Sequence, residues 1–251
     1  MTTDPSSPAL SPLPANRSFG RRRGRPLKGS RQDALATLPE YEIPLSLSAG
    51  AGEIDPRALF TAPVQKIWFE IGFGSGEHLR ARLLANPEDG FIGAEPYVNG
   101  MSAMLSGLRG MPGSYTPRLR LHMDDALQIL QKLKPHGLDG IYLLNPDPWP
   151  KKRHHKRRIV NPENLELFAR VLKPGGEFIF STDVEELAEW TRDHFKECPY
   201  FDILEESAKN PHTPPPGWPL TTRYMAWGMS EGRKPYFFVY KRTAQDITLD
   251  T

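Results

Sequence analysis

The chain has 251 residues, of which 38% are hydrophobic and 25% are charged, an ordinary composition for one large globular domain or two small ones. No apolar run approaches the ~20 residues that a membrane-spanning helix needs, and the N-terminus lacks the apolar core of a secretory signal. Because Cys198 is the only cysteine, neither a disulfide framework nor a cysteine-based metal site is expected. We predict a cytoplasmic protein with no bound metal and no membrane contact.

Two concentrated basic segments lie behind the small net charge of +2. Residues 17–31 contain seven Lys or Arg and no acid, and residues 151–158 contain six and no acid. A single charge run is usually a solvated surface, but two such runs on an otherwise acidic chain favour a docked polyanion. Residues 1–35, rich in Pro, Ser and Arg, are predicted to form a disordered basic arm. Residues 36–251 are predicted to form the folded domain.

From Lys66 onward, short apolar runs alternate with segments of helical spacing. Strands are predicted at 67–71, 91–94, 119–122, 140–144, 177–180, 201–205 and 236–241. Helices are predicted at 77–86, 98–109, 125–134, 161–172 and 184–196. This alternation predicts an α/β fold with a mostly parallel seven-stranded sheet and helices on both faces, in which the last two strands form an antiparallel hairpin.

A glycine-rich turn follows the first predicted strand. Gly72, Gly74 and Gly76 would let a ligand approach the backbone closely, and Glu70 stands two residues before the first of them. The spacing G-x-G-x-G differs from the dinucleotide fingerprint G-x-G-x-x-G. A carboxylate here would repel a pyrophosphate but suit an ammonium group, such as that of S-adenosylmethionine (SAM).

Acidic residues also follow the second and third strands. Glu95 could accept hydrogen bonds from two ribose hydroxyls, and Asp125 could meet the exocyclic amine of adenine. Either Asp124 or Asp125 could instead cap a helix, a common role that could apply to Asp124. An acid after each of three strands, beside the glycine turn, predicts a SAM site.

The segment after the fourth strand combines a carboxylate, an aromatic ring and positive charge. Asp147 lies between two prolines, which restrict its backbone, and Trp149 offers a stacking face. Transfer of a methyl group to a ring nitrogen that carries no hydrogen, such as guanine N7, needs no base. A carboxylate would stabilise the positive charge that develops on the purine. The residues predicted to contact the RNA backbone are Lys152, Arg153, Lys156, Arg157 and Arg158.

Residues 145–158 resemble the F-P-D-P-W-x-K-x-R-H-x-K-R-R signature of bacterial tRNA (guanine-N7)-methyltransferases. Segments 181–183, 222–225 and 232–235 agree in order and spacing, and the resemblance covers roughly residues 64–242. It implies a Rossmann-like class I, SAM-dependent enzyme that methylates N7 of the variable-loop guanine in tRNA. It also implies that Asp147 holds this guanine and faces SAM. The further substrate contacts that it implies are Lys151, Asp183, Thr222, Arg223, Tyr224 and Met225.

Two departures from the family pattern leave alternatives open. Met225 stands where the family usually has a glutamate, and Asn145 replaces an aromatic residue. The resulting N-P-D-P-W turn is superficially similar to the N-P-P-[YFW] turn of exocyclic-amine methyltransferases. The alternatives are therefore a SAM-dependent amine methyltransferase acting on nucleic acid, or a non-catalytic RNA-binding protein of the same fold. The sequence predicts no oligomeric state.

Overall fold

The computed structural model describes residues 19–20, 22–43, 53–218 and 223–247. In this part of the chain, seven strands form one sheet in the order β3-β2-β1-β4-β5-β7-β6. The strands are β1 (Ile67–Ile71), β2 (Gly90–Ala94), β3 (Leu119–His122), β4 (Leu138–Leu144), β5 (Leu172–Thr182), β6 (Phe201–Ile203) and β7 (Tyr236–Arg242). Strands β1 to β5 pair in parallel, and β7 runs antiparallel to β5 and β6. The predicted α/β fold with a C-terminal antiparallel hairpin is confirmed.

Helices connect the strands and cover the sheet. They are α1 (Ser30–Leu35), α2 (Glu77–Ala85), α3 (Val98–Arg109), α4 (Ala126–Leu130), α5 (Pro162–Val171), α6 (Glu185–Glu197), α7 (Glu205–Lys209) and α8 (Arg223–Ser230). Within the described ranges, no helix has both the length and the apolarity to cross a bilayer.

The core consists of two hydrophobic clusters that share the residues of the sheet. In β1, Ile67, Phe69 and Ile71 belong to one cluster, and Trp68 belongs to the other. This alternation follows from the two-residue period of a strand, and all five residues of β1 are buried, as expected for a parallel strand covered on both sides. The strand order reverses between β1 and β4, where open α/β sheets bind their ligands.

Helix α4 is shorter than its sequence pattern predicts. The backbone N–H of Ile54 donates to the Lys132 carbonyl at 2.7 Å, and the N–H of Lys134 donates to the Ile54 carbonyl at 2.9 Å. These bonds draw residues 132–134 into an extended bridge, so the helix ends at Leu130.

Residues 22–35, part of the predicted basic arm, lie against α3. Ala34 of α1 is fully buried, and Ser102 Oγ of α3 donates to the Arg31 carbonyl at 2.7 Å. The Asn99 side chain accepts from the Gly24 N–H at 3.1 Å and donates to the Arg25 carbonyl at 2.9 Å. Side chains of α3 therefore hold the backbone of a segment that has few apolar side chains of its own. Residues 1–18 and Arg21 lie outside the described residues.

Candidate active site

A cavity of about 740 Å³ lies at the carboxyl ends of β1, β2, β4 and β5. Its position is the point where the strand order reverses. The predicted site residues that line it are Gly72, Gly74, Glu95, Asp125, Asp147, Lys156, Arg157, Arg158 and Asp183. The described residues that were predicted for the site but do not line it are Glu70, Gly76, Lys151, Lys152, Arg153 and Met225.

The three glycines of the first turn have different roles. Gly72 has a φ of +66°, and a Cβ built on it would meet no atom within 4 Å, so the turn leaves open space beside the cavity. Gly74 also has positive φ, +58°, and lines the cavity. A Cβ on Gly76 would instead overlap the Met104 side chain. Gly76 therefore allows α2 to pack closely against α3, and the ligand-facing part of the turn is Gly72 and Gly74.

Glu95 connects the end of β2 to this glycine turn. Its Oε2 accepts from the Gly74 N–H at 2.7 Å, and its Oε1 accepts from the Tyr97 N–H at 2.8 Å. Burial raises the pKa of Glu95, although the two backbone hydrogen bonds oppose the shift. Each carboxylate oxygen has further acceptor capacity, so Glu95 can hold the turn and still accept from a bound hydroxyl.

Glu70 lies beneath the turn instead of at the cavity wall. Only 3% of Glu70 is exposed, and its Oε2 lies 2.8 Å from Nδ1 of His78 on α2, which is equally buried. This pair fixes α2 to the end of β1. His78 was not predicted from the sequence; the available signal was a histidine on the buried face of the helix, eight residues after a strand-end acid.

Asp125 both caps α4 and lines the cavity. Its Oδ1 accepts from the Leu127 N–H at 3.1 Å. Asp124 Oδ1 accepts from the Asp125 N–H at 2.8 Å and pairs with Arg22. The alternative in which Asp124 caps the helix is therefore corrected, since the cap is Asp125.

The turn that carries Asp147 has an unusual backbone. Asn145 and Trp149, which flank it, have φ angles of +48° and +43°, a left-handed conformation that costs energy for residues other than glycine. The Asn145 N–H donates to the Ser181 carbonyl at 2.8 Å, which ties the turn to the end of β5. Asp147 projects into the cavity, and its partial desolvation raises the pKa of its carboxyl.

Arg158 supports this turn from below. It is 2% exposed, its Nε donates to the Pro148 carbonyl at 2.9 Å, and its Nη2 donates to Glu186 Oε1 at 2.8 Å. The guanidinium also lies over the Trp190 ring, 4.8 Å from its centroid. The donors of Arg158 are therefore turned inward, an arrangement that does not favour the predicted contact with the RNA backbone.

Trp149, the predicted stacking face, is already contacted by other side chains. The Arg157 guanidinium lies 4.9 Å from its ring centroid, and the Phe19 and His154 rings approach edge-on at 6.4 and 5.9 Å. Desolvation and then the charge of Arg157 lower the pKa of His154. The remaining cations of the run, which are solvent-exposed, are Lys151, Lys152, Arg153 and Lys156.

The far wall of the cavity contains two residues that the sequence analysis did not select. Arg233 Nε donates to Asp183 Oδ2 at 2.7 Å, and the Arg233 guanidinium lies 4.8 Å from the ring centroid of Trp227. Met225 is buried and does not line the cavity. Thr222 and the side chains of Arg223 and Tyr224 lie outside the described residues. The sequence contains only a weak signal for Trp227 and Arg233, because Arg233 belongs to segment 232–235, which agrees with the family pattern.

The sheet order and the cavity at its reversal point define a class I methyltransferase fold. A solved 16S rRNA (adenine(1408)-N(1))-methyltransferase from Catenulisporales acidiphilia superposes with a TM-score of 0.52 at 16% identity, over 78% of this chain and 97% of that one. A family model described as "Putative methyltransferase" matches residues 64–238.

Curated relatives narrow the class to a family. A tRNA (guanine-N(7)-)-methyltransferase from Mesorhizobium japonicum is 45% identical over 89% of this chain and 94% of its own length. One from Brucella abortus is 42% identical over 91% of this chain and 95% of its own. The chain belongs to the tRNA (guanine-N(7)-)-methyltransferase family, whose cofactor is SAM.

The residues at the cavity fit this cofactor. The space beside Gly72 admits a ligand against the backbone, and the acids Glu95 and Asp125 stand at the ends of successive strands. These groups offer carboxylate acceptors for ribose hydroxyls and an amine. They also supply negative charge for a cationic ligand.

Proposed function

We propose that the protein transfers the methyl group of SAM to N7 of the variable-loop guanine in tRNA. The observation that carries this proposal is the meeting of two sets of residues in one cavity. Gly72, Gly74, Glu95 and Asp125 form the donor side, and Asp147 stands on the acceptor side.

The residues of the donor side bind and orient SAM. Bound SAM supplies an electrophilic methyl group on a positively charged sulfur. Glu95 accepts hydrogen bonds from the ribose while its own bonds to Gly74 and Tyr97 keep it in place. Asp125 accepts from the adenine amine, and Gly72 leaves room for the amino acid end of the cofactor. Glu70, predicted as a direct contact, acts from beneath by fixing the turn through His78.

Asp147 acts on the acceptor guanine. Its oxygens accept from N1–H and from the N2 amine, which aligns N7 with the methyl group. With SAM bound, the N7 lone pair would form the new bond to carbon as the carbon–sulfur bond breaks, and positive charge would pass from sulfur to the purine. The carboxylate stabilises this charge in the partly desolvated cavity. No proton leaves N7, so no general base is needed.

The exposed cations after the turn hold the RNA. Lys151, Lys152, Arg153 and Lys156 are exposed directly after the segment that carries Asp147. Phosphate contacts from these side chains would position the tRNA without reading its sequence. A cytoplasmic location, where tRNA is the available substrate, is part of the same proposal.

One observation favours a second candidate, an exocyclic-amine methyltransferase. Asn145 lines the cavity, and its Oδ1 is buried with no hydrogen-bond partner among the described residues. An amide oxygen in this position could accept from an exocyclic amine.

Nucleoside analysis separates these functions. Unmodified tRNA is incubated with SAM that carries a labelled methyl group, digested to nucleosides and separated. We expect label in 7-methylguanosine, and its loss with Asp147→Asn. Label in N6-methyladenosine would replace the proposed function with the alternative. RNA binding without any transfer would indicate the non-catalytic protein.

A further inference from the structure

Trp227 is an exposed aromatic side chain at the wall of the active-site cavity. Of its surface, 60% is exposed, the highest fraction among the large hydrophobic side chains in the described part of the chain. Large apolar side chains are mostly buried, and exposed ones that border a cavity often mark a binding surface. Met229, two residues later on the same helix, is similarly exposed at 53% but does not line the cavity.

The position of the indole is fixed by neighbouring residues. Arg233 lies over the Trp227 ring and is held in turn by Asp183. Helix α8 also approaches the end of β5 closely, because a Cβ on Gly228 would overlap the Asp183 carboxylate. The ring is thus oriented before any substrate binds, while most of the surface of Trp227 stays exposed.

Trp227 is better placed to stack on a base than Trp149. Trp149 is contacted by Arg157, Phe19 and His154, whereas the indole of Trp227 pairs with the guanidinium of Arg233. Met225, on the same helix as Trp227, is 3% exposed and does not line the cavity. A guanine bound here would therefore depend on other contacts from this wall.

We propose that Trp227 is the stacking face for the target guanine, an inference that rests on the proposed function. Every base has a π-face, so an indole at the cavity wall can bind guanine without a hydrogen bond. Methylation at N7 makes the purine cationic, and tryptophan is the best aromatic partner for a cation. Stacking therefore strengthens as the methyl group is transferred, so Trp227 contributes to turnover as well as to binding.

The test compares three variants of the full chain. Trp227→Ala removes the ring, Trp227→Phe keeps a smaller one, and Met229→Ala is the matched control on the same helix. Each is assayed for 7-methylguanosine formation in tRNA at saturating SAM and for tRNA affinity with S-adenosylhomocysteine bound. We expect Trp227→Ala to lower kcat/KM for tRNA by roughly 5- to 150-fold, the range for loss of one stacked base. Its KM for SAM should not change.

The conservative variant separates stacking from a structural role. Trp227→Phe should recover most of the activity, and Met229→Ala should match the unaltered protein. The inference is overturned if Trp227→Ala keeps full kcat/KM, or if Met229→Ala loses as much. If the unaltered protein methylates another base, the proposed function fails, but the same comparison on that product still decides whether Trp227 stacks. If the unaltered protein transfers no methyl group, the tRNA affinities of the variants decide whether Trp227 stacks on a base.

Discussion

Arg158 donates from Nε to the backbone carbonyl of Pro148 at 2.9 Å, which joins the last residue of the basic run to the residue after Asp147. The same guanidinium donates to Glu186 on α6. A cation predicted to meet phosphate therefore positions the turn that carries the carboxylate. Whether a cation of this run binds RNA or supports the site depends on which way it points.

Arg158→Gln should lower the stability of the protein without changing the salt dependence of tRNA binding. The free energy of unfolding should fall by roughly 1–3 kcal/mol, because the Pro148 carbonyl loses a charged donor in a buried setting. Turnover should fall as well, since Asp147 loses its support. Urea unfolding and binding titrations at several salt concentrations measure both effects. If Arg158→Gln reduced the slope of log affinity against log salt as much as removal of an exposed cation does, Arg158 would have to contact the RNA.

Arg153→Gln is the matched charge change on the surface. Arg153 is exposed, so the variant should unfold like the unaltered protein. Removing one cation that binds a phosphate should reduce the slope of log affinity against log salt by roughly 0.7–0.9, and Lys152→Gln and Lys156→Gln should do the same. Lys196→Gln, at the far end of α6 from Asp183, is the control that should leave the slope unchanged. If the three surface variants had the same salt slope as Lys196→Gln, the RNA would have to bind elsewhere on the protein.

The sequence predicts the positions of strand-end residues well and the directions of loop side chains poorly. Glu95, Asp125 and Asp147 could be grouped in advance, because parallel strands bring their carboxyl ends to one edge of the sheet. The inward turn of Arg158 depends on Glu186, which lies 28 residues later on another helix. No local pattern contains that pairing.

The same limit applies to residues whose role is set by tertiary packing. Gly72 and Gly76 look equivalent in sequence, and only the neighbouring Met104 distinguishes them. Trp227 acquires a role because α8 packs against Asp183, which lies far from it in the chain.

Asp147→Asn should retain SAM binding and lose most methyl transfer. Removal of one electrostatic interaction with the transition state typically lowers kcat by roughly 10²–10³. Desolvation raises the pKa of Asp147, and in the proposed mechanism the anion is the active form. The kcat/KM for tRNA should therefore fall as the pH drops through a pKa above the ordinary aspartate value of about 3.9.

The pH profile of the asparagine variant is the control. Its residual rate should show no decline on the acidic side from this group. Because burial also raises the pKa of Glu95, the profile is recorded at saturating SAM, so that titration of the cofactor site does not contribute. If kcat/KM for tRNA declined identically at acidic pH in the unaltered protein and in Asp147→Asn, the titrating group would be another residue.

Gly72→Ala and Gly76→Ala should separate cofactor binding from packing. Both glycines have positive φ, so each alanine costs about 1–2 kcal/mol in backbone strain. At Gly72 the new methyl group enters open space beside the cavity, so the affinity for SAM should fall in addition. At Gly76 it would overlap Met104, and this overpacking should cost about 1–3 kcal/mol more in stability. Calorimetric titration with SAM and urea unfolding measure the two effects. If Gly72→Ala bound SAM as tightly as the unaltered protein, the first turn would not form the donor site, and the assignment of that side of the cavity would have to move toward Glu95 and Asp125.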